Sequence, residues 1–191
     1  MNIRSGGNAR VAKPLLARCE RIEPDAVVLS EFRDTAAGMV YRRELDRLGY
    51  SHQAATEGHR GNGVLIASTL EFSALRNPFG LADEEYPNAI LQGNFADLTL
   101  YGVYLPGQDR KVPHLRCLIA AAEACNARSC RAVCICDFNS GRNETDIEVN
   151  LRREALVDSF STAPLYEQLE QHWTEAWAHL HPDEREFSWY P

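Results

Sequence analysis

Short apolar runs and longer amphipathic stretches alternate along this 191-residue chain. Two of the runs, at residues 26–29 and 132–136, are continuous and contain β-branched side chains. They predict strands at residues 25–31 and 132–136 that are buried on both faces of a helix-covered sheet. Residues 61–68, 71–75, 88–95 and 97–104 predict a β-rich middle. The last strands and the long helix between them follow in the order strand, helix, strand, so we expect an α/β domain with a partly parallel sheet.

Apolar residues at intervals of three and four predict five helices, at residues 11–22, 35–48, 112–127, 147–156 and 165–179. We expect Met39, Leu45 and Leu48 on the inward face of the second helix. On the last helix, one face is expected to carry Leu165, Leu169, His172, Trp173, Ala176 and Trp177. No repeat or linker interrupts the pattern, which predicts one domain over residues 1–191.

The composition is that of an ordinary globular protein, with 45% hydrophobic and 25% charged residues. No apolar run reaches membrane-spanning length and the first residues carry no apolar signal segment. The six cysteines form no CxxC pair, so we expect reduced thiols in a cytoplasmic protein. The net charge of -7 does not indicate a nucleic-acid binder, but a hydrolase that only visits DNA can use a local basic face.

The chemistry is concentrated after the strand at residues 132–136. Asp137 and Asn139 follow this strand, and Gly141 is expected to interrupt the regular secondary structure. A carboxylate and an amide two residues apart at the carboxyl end of a buried strand are expected to face the same crevice. Hydrolysis of a phosphodiester needs such a pair, a base for the water and a neutral donor for the phosphate oxygens. The same residue types form ordinary turns, so a plain turn is the alternative at this point.

Motif-like segments lie along almost the whole chain. They are Asn-Ile-Arg-Ser-Gly at 2–6, Pro-Asp-Ala-Val-Val-Leu-Ser-Glu at 24–31, Gly-Asn-Gly-Val-Leu-Ile-Ala-Ser at 61–68, Gly-Val-Tyr-Leu-Pro-Gly at 102–107, Cys-Asp-Phe-Asn at 136–139, Trp-Ala-His-Leu-His-Pro at 177–182 and Phe-Ser-Trp-Tyr at 187–190. In this order they resemble the endonuclease/exonuclease/phosphatase superfamily and, within it, the exonuclease III-like group. The resemblance implies two packed β-sheets flanked by helices, the four-layer α/β sandwich of the deoxyribonuclease I-like type.

The resemblance also implies a site. Glu31 would be the main protein ligand of Mg2+, with Mn2+ as a substitute, because such a cation keeps most of its waters and binds substrate phosphate. Asp137 would activate the attacking water. The substrate would be DNA, as a duplex or at damaged positions, and no membrane partner is expected. The remaining roles implied are phosphate positioning by Asn2 and Asn139, a hydroxyl from Tyr104, and substrate binding by Arg142 and Trp189.

Several of these assignments have plain structural alternatives. Without the resemblance, Glu31 is better explained as a solvated strand end, and Asn2 could belong to a frayed terminus. Tyr104 is equally explained as an edge packing residue, and Trp189 is better explained as a core or rim aromatic. The chain also departs from the family pattern, because Cys136 stands where glycine is usual and Met1 where the family has tryptophan.

The family site closes with an Arg-Ile-Asp-His-like strand and a final Ser-Asp-His, and the chain stops at Pro191 before both. We therefore expect a fold incomplete at the C-terminus and a turnover lower by orders of magnitude, since a preorganised transition-state group is lost. Two alternatives to a DNA phosphodiesterase follow. One is a catalytically dead remnant that binds nucleic acid or a protein partner, and the other is a family member acting on a non-nucleic-acid phosphoester.

Overall fold

The structure, a computed structural model, describes residues 1–7, 9–56, 61–139 and 160–184. The chain divides into two compact units, Met1–Leu105 with Cys130–Asp137, and Pro106–Ser129 with Phe138–Pro191. A single domain over residues 1–191 stays a prediction. Within the described ranges, no helix is long and apolar enough to cross a membrane.

The first unit contains two β-sheets. The first sheet is antiparallel and has the strand order β1-β3-β2, where β1 is Ala26–Phe32, β2 is His52–Ala55 and β3 is Gly63–Ser68. The second sheet has the order β4-β5-β6-β7, with β4 at Ser73–Arg76, β5 at Ile90–Asn94, β6 at Thr99–Tyr104 and β7 at Ala132–Asp137. Within the second sheet, β6 and β7 pair in parallel, as expected for strands joined by a long helical connection. The sequence predicted all of these strands except β2.

The two faces of the first sheet are buried against different partners. On one face lie α1 (Ala9–Ile22) and α2 (Ala36–Arg47), whose Leu15 and Leu45 share a buried cluster with strand residues such as Leu29. On the opposite face, the alternate residues of β1 and β3 form a second buried cluster with Leu91 and Leu100 of the second sheet. The predicted arrangement of two packed sheets with flanking helices is therefore confirmed.

The inward face of α2 differs from the prediction. Gly38, Tyr41 and Leu45 are buried, whereas Met39 is 54% exposed. Successive helix residues are rotated by about 100°, so Met39 and Tyr41, two positions apart, lie on nearly opposite faces of the helix. Tyr41 is 1% exposed and faces the core, so Met39 points away from it. The placement of Met39 in the core was wrong, and that of Leu45 is confirmed.

The prediction that β7 is buried on both faces was wrong as well. Val133 and Ile135 are the register partners of Leu100 and Gly102, so they lie on the face of the second sheet that packs on the first. They are nevertheless 42% and 39% exposed. These side chains are exposed because β7 is the edge strand of its sheet and has no neighbouring strand on its outer side among the described residues.

The described part of the second unit is helical. It contains α3 (Val112–Arg128), α4 (Ala163–Glu170) and α5 (Ala176–Leu180). The single helix predicted at residues 165–179 is thus two helices, because Glu175 has extended backbone and its carboxylate caps α5 by accepting from the backbone N–H groups of Trp177 and Ala178, at 3.1 and 2.6 Å. Trp177 is consequently 38% exposed. The helix predicted at residues 147–156 lies outside the described residues.

Candidate active site

Glu31 is turned out of the ladder of β1 by a β-bulge. The pairing with β3 passes from Ser30 opposite Val64 to Phe32 opposite Gly63, which leaves Glu31 without a cross-strand partner. Its φ is 59°, in the left-handed region where a non-glycine residue costs about 1–3 kcal/mol. Bulges of this kind re-aim a side chain, and here the carboxylate is the group that is re-aimed.

The first residues of the described chain form a short parallel bridge beside the end of β1. Asn2 pairs with Ser30, whose N–H donates to the Met1 carbonyl oxygen at 3.0 Å and whose carbonyl oxygen accepts from the N–H of Ile3 at 3.1 Å. Ile3 is fully buried in the helix-facing core. Asn2 is therefore held by the sheet rather than frayed, and its side chain faces away from that of Ile3.

The amide of Asn2 joins two carboxylates that belong to different sheets. Its Nδ2 donates to Glu31 Oε1 and to Asp137 Oδ2, at 2.6 Å in each case. Its Oδ1 accepts from the backbone N–H of Arg4 at 2.7 Å. Because the oxygen must face a donor and the nitrogen must face acceptors, these contacts fix the orientation of the amide.

Asp137 and Tyr104 stand side by side at the carboxyl ends of the parallel strands β7 and β6. They are register partners, and the ladder continues through the N–H of Leu105, which donates to the Asp137 carbonyl oxygen at 2.9 Å. Partners in register direct their side chains to the same face of the sheet. The carboxylate and the phenol, both half-buried, are thus presented together.

Asn62 is a site residue that the sequence did not reveal. Its Nδ2 donates to Glu31 Oε2 at 3.1 Å and to the Tyr104 hydroxyl oxygen at 3.2 Å, and its Oδ1 accepts from Arg33 Nε at 2.7 Å. The only signal in the sequence was a polar residue between two glycines at the start of a buried strand. Ser5 was missed too, and it donates to Glu31 Oε2 from its backbone N–H at 2.5 Å and from Oγ at 3.3 Å.

Two neighbouring carboxylates bring like charges close together in the site. Glu31 Oε1 and Asp137 Oδ2 each lie 2.6 Å from one nitrogen, so they cannot be further apart than twice that distance. At about 5 Å, two like charges repel by roughly 3 kcal/mol with an effective dielectric constant of about 20, and solvent at half-buried groups reduces this. A neutral amide separates the two charges without neutralising them.

The donor set fits a hard divalent cation. Carboxylate oxygens are the ligands that Mg2+ and Mn2+ prefer, and two of them lie beside each other here. Across the described ranges, no three His, Cys, Asp or Glu side chains converge on one point. Glu31, with Asp137 as its neighbour, therefore suits a cation that keeps most of its waters.

Of the three other predicted residues, the structure describes only Asn139. Asn139 belongs to the second unit, with an exposed side chain and a φ of 48°. Its carbonyl oxygen and that of Phe138 accept from the Nζ of Lys111, at 2.7 and 3.0 Å, and Lys111 is only 1% exposed. The role of Asn139 stays a prediction. Arg142 and Trp189 lie outside the described residues.

The chain matches the endonuclease/exonuclease/phosphatase family over residues 1–189 and therefore belongs to it. This places it in a family of nucleases and phosphatases, as the motifs indicated. A sequence search of curated proteins finds no match.

Solved structures share the fold at low sequence identity. An AP endonuclease from Archaeoglobus fulgidus is 17% identical with a TM-score of 0.74, and the alignment covers 100% of this chain and 77% of that one. The 3' phosphatase NExo from Neisseria, bound to a product DNA hairpin, is 16% identical with a TM-score of 0.72 and the same coverage. The 3'-5' exonuclease NExo from Neisseria meningitidis is 17% identical with a TM-score of 0.72, covering 95% of this chain and 75% of that one.

Proposed function

We propose that this protein is a metal-dependent phosphodiesterase that acts on DNA, in the manner of exonuclease III and abasic-site endonucleases. The observation that carries the proposal is the Asn2 amide that holds Glu31 and Asp137 together from two different sheets, at 2.6 Å from each. Membership of the family supports hydrolysis of a phosphoester. The names of the similar structures, one of them bound to a product DNA hairpin, support DNA as the substrate. The described cysteines, which form no disulfide with one another, would suit a cytoplasmic location.

The residues present can be assigned to the steps of such a hydrolysis. A cation held at Glu31 would supply positive charge next to the scissile phosphate, and Mg2+ or Mn2+ fits the donors there. Asp137 would take the proton of the attacking water. Asn2 donates to Asp137 Oδ2, which fixes the rotation of that carboxylate so that it faces the water in one orientation.

Tyr104 stands next to Asp137 on the same sheet face and would donate its hydroxyl proton to a phosphate oxygen. Asn139 would donate a second neutral hydrogen bond to the phosphate. Arg142 would bind a phosphate of the DNA backbone through its planar guanidinium, and Trp189 would lie against a sugar or base. These last three roles rest on the resemblance of the motifs to the family.

The test is single-turnover cleavage of DNA with enzyme in excess, so that slow hydrolysis is still measured. The substrates are labelled duplexes that carry an abasic site or a recessed 3' end, with Mg2+ or with EDTA. We expect cleavage in Mg2+ alone and a loss of about 100-fold or more in Asp137→Asn, because a positioned base supplies that much rate. Asp97→Asn is the matched control, since Asp97 is 72% exposed and bonds only Arg131 among the contacts described for it.

Other results would reject the proposal. Salt-dependent binding of the duplex without cleavage would indicate a catalytically dead remnant that binds nucleic acid. Hydrolysis of an inositol phosphate or of bis-p-nitrophenyl phosphate, with intact DNA, would indicate a family member with another substrate. Equal cleavage by wild type and Asp137→Asn would remove Asp137 from the mechanism.

A further inference from the structure

Asn62 contacts two side chains that take part in the proposed reaction, Glu31 and Tyr104, and a third beside them, Arg33. One nitrogen reaches Glu31 Oε2 at 3.1 Å and the Tyr104 oxygen at 3.2 Å, and Arg33 Nε holds the amide oxygen at 2.7 Å. Asn62 precedes β3 of the first sheet, and Tyr104 ends β6 of the second. The amide therefore crosses from one sheet to the other beside the proposed metal ligand.

The contacts allow only one orientation of this amide. Arginine has no acceptor, so the group that faces Arg33 Nε must be the amide oxygen. The two N–H groups of Nδ2 then point at Glu31 and Tyr104. Arg33 follows Glu31 by two residues along the chain, so the bulge that aims the carboxylate also brings the guanidinium that orients its neighbour.

This orientation determines what Tyr104 can donate to. Because Asn62 donates to the phenol oxygen, the hydroxyl proton of Tyr104 cannot be directed at Asn62 and is left for an acceptor on another side. In the proposed reaction that acceptor is a phosphate oxygen. An amide flipped by 180° would present its oxygen to both Glu31 and Tyr104, repelling the carboxylate and capturing the phenol proton.

We propose that Asn62, oriented by Arg33, is a positioning residue that holds Glu31 and sets the direction in which Tyr104 donates. This inference rests on the proposed function, because it gives Asn62 its effect through Glu31 and Tyr104. A purely structural bridge between the sheets would have a different signature. Its loss would lower stability and would change metal affinity and turnover only as far as folding changes.

The decisive variant is Asn62→Asp, which keeps the shape of the side chain and replaces the donor by a carboxylate. The new carboxylate adds a negative oxygen beside Glu31, so Mn2+ should bind about 10-fold more tightly. The Tyr104 proton should turn to the new carboxylate, and kcat should fall by about 10- to 100-fold, the usual effect of removing an outer-shell partner. KM for the DNA should change little. Opposite changes in affinity and kcat are not expected from a structural bridge.

Two further variants distinguish an effect on the positions of Glu31 and Tyr104 from an effect on folding. Asn62→Ala removes both donors, and we expect weaker Mn2+ binding together with a lower kcat. Arg33→Met keeps the aliphatic stem and frees the amide to flip, so about a 10-fold lower kcat is expected with a smaller change in melting temperature. Asn94→Ala is the control, because its amide bonds Gln92 at 2.7 Å at the opposite end of the second sheet from Tyr104.

For each variant, Mn2+ binding is measured by a titration monitored with electron paramagnetic resonance. The kcat and KM of DNA cleavage and the melting temperature are measured as well. Opposite changes in affinity and kcat for Asn62→Asp support the inference. Unchanged Mn2+ affinity, or a kcat that falls only in proportion to the melting temperature, would overturn the inference about Asn62. The proposed function would still stand as long as the wild type cleaves DNA. A wild-type protein that binds no Mn2+ and cleaves no DNA would overturn both.

Discussion

Replacing Asn2 by alanine gives the sharpest test of how the two carboxylates are held. The substitution removes both 2.6 Å contacts of Nδ2 and leaves Glu31 and Asp137 facing each other with no donor between them. In the absence of a divalent cation the protein should therefore lose stability. A cation at Glu31 would offset the repulsion, so the loss should be smaller in Mg2+.

The magnitude follows from two contributions. Hydrogen bonds to charged acceptors contribute about 1.5–3 kcal/mol each when buried, and half-buried ones less because water replaces them. The unscreened repulsion of about 3 kcal/mol between the carboxylates is reduced by solvent in the same way. A net loss of about 2–4 kcal/mol in EDTA corresponds to a fall of about 4–16 °C in the melting temperature of a chain of this length.

The assay is thermal melting of wild type and Asn2→Ala in EDTA and in saturating Mg2+. The rise in melting temperature caused by Mg2+ should be larger in the variant by about 2–4 °C, because the cation there relieves repulsion as well as binding. Asn94→Ala, which removes an amide far along the same unit, should show the wild-type rise. An equal or smaller rise in Asn2→Ala would show that the amide does not separate two charged groups.

Two further predictions concern the core of the first unit. A methyl group at Gly102 would lie 2.8 and 3.0 Å from two valine side chains between the sheets, so Gly102→Ala should lower the free energy of unfolding in urea by about 1–3 kcal/mol, whereas Gly107→Ala, with open space around it, should leave it nearly unchanged. Burial also raises the pKa of the Cys19 thiol, which keeps the thiolate scarce. Iodoacetamide should therefore modify the exposed Cys130 first, and Cys19 only on unfolding; equal rates in the native protein would contradict its burial.

The fold was predictable where burial on both faces of a strand produces an uninterrupted apolar run. Residues of β3 face a different core on each side, so residues 63–67 are apolar without interruption and read as a central strand. The short β2 was missed because its residues, such as the half-buried His52 and Gln53, form no such run. The exposure of Val133 and Ile135 was also hidden, since an apolar run does not tell whether its strand lies inside a sheet or at its end.

The site was predictable only in part, for a similar reason. Glu31, Tyr104 and Asp137 stand at or near the ends of recognisable strands, so the pattern located them on those strands, but the family resemblance was needed to group Glu31 and Tyr104 with Asp137 in one site. Asn62 acts through a contact with Arg33 and a bulge at Glu31, and neither is encoded by residue spacing. The alternative of a solvated strand end for Glu31 is not what the geometry shows, because its carboxylate accepts from Asn2, Ser5 and Asn62.

The most direct measurement of the central claim is the Mg2+ dependence of single-turnover DNA cleavage in wild type and in Glu31→Gln. The variant keeps the shape of the side chain and removes the charge of the proposed metal ligand. We predict saturable cleavage by wild type and at least about a 10-fold higher Mg2+ requirement in the variant, since one carboxylate is a large part of a Mg2+ site built from few protein ligands. Cleavage that proceeds in EDTA, or that responds to Mg2+ identically in both proteins, would contradict the assignment of Glu31 as the metal ligand of a phosphodiesterase.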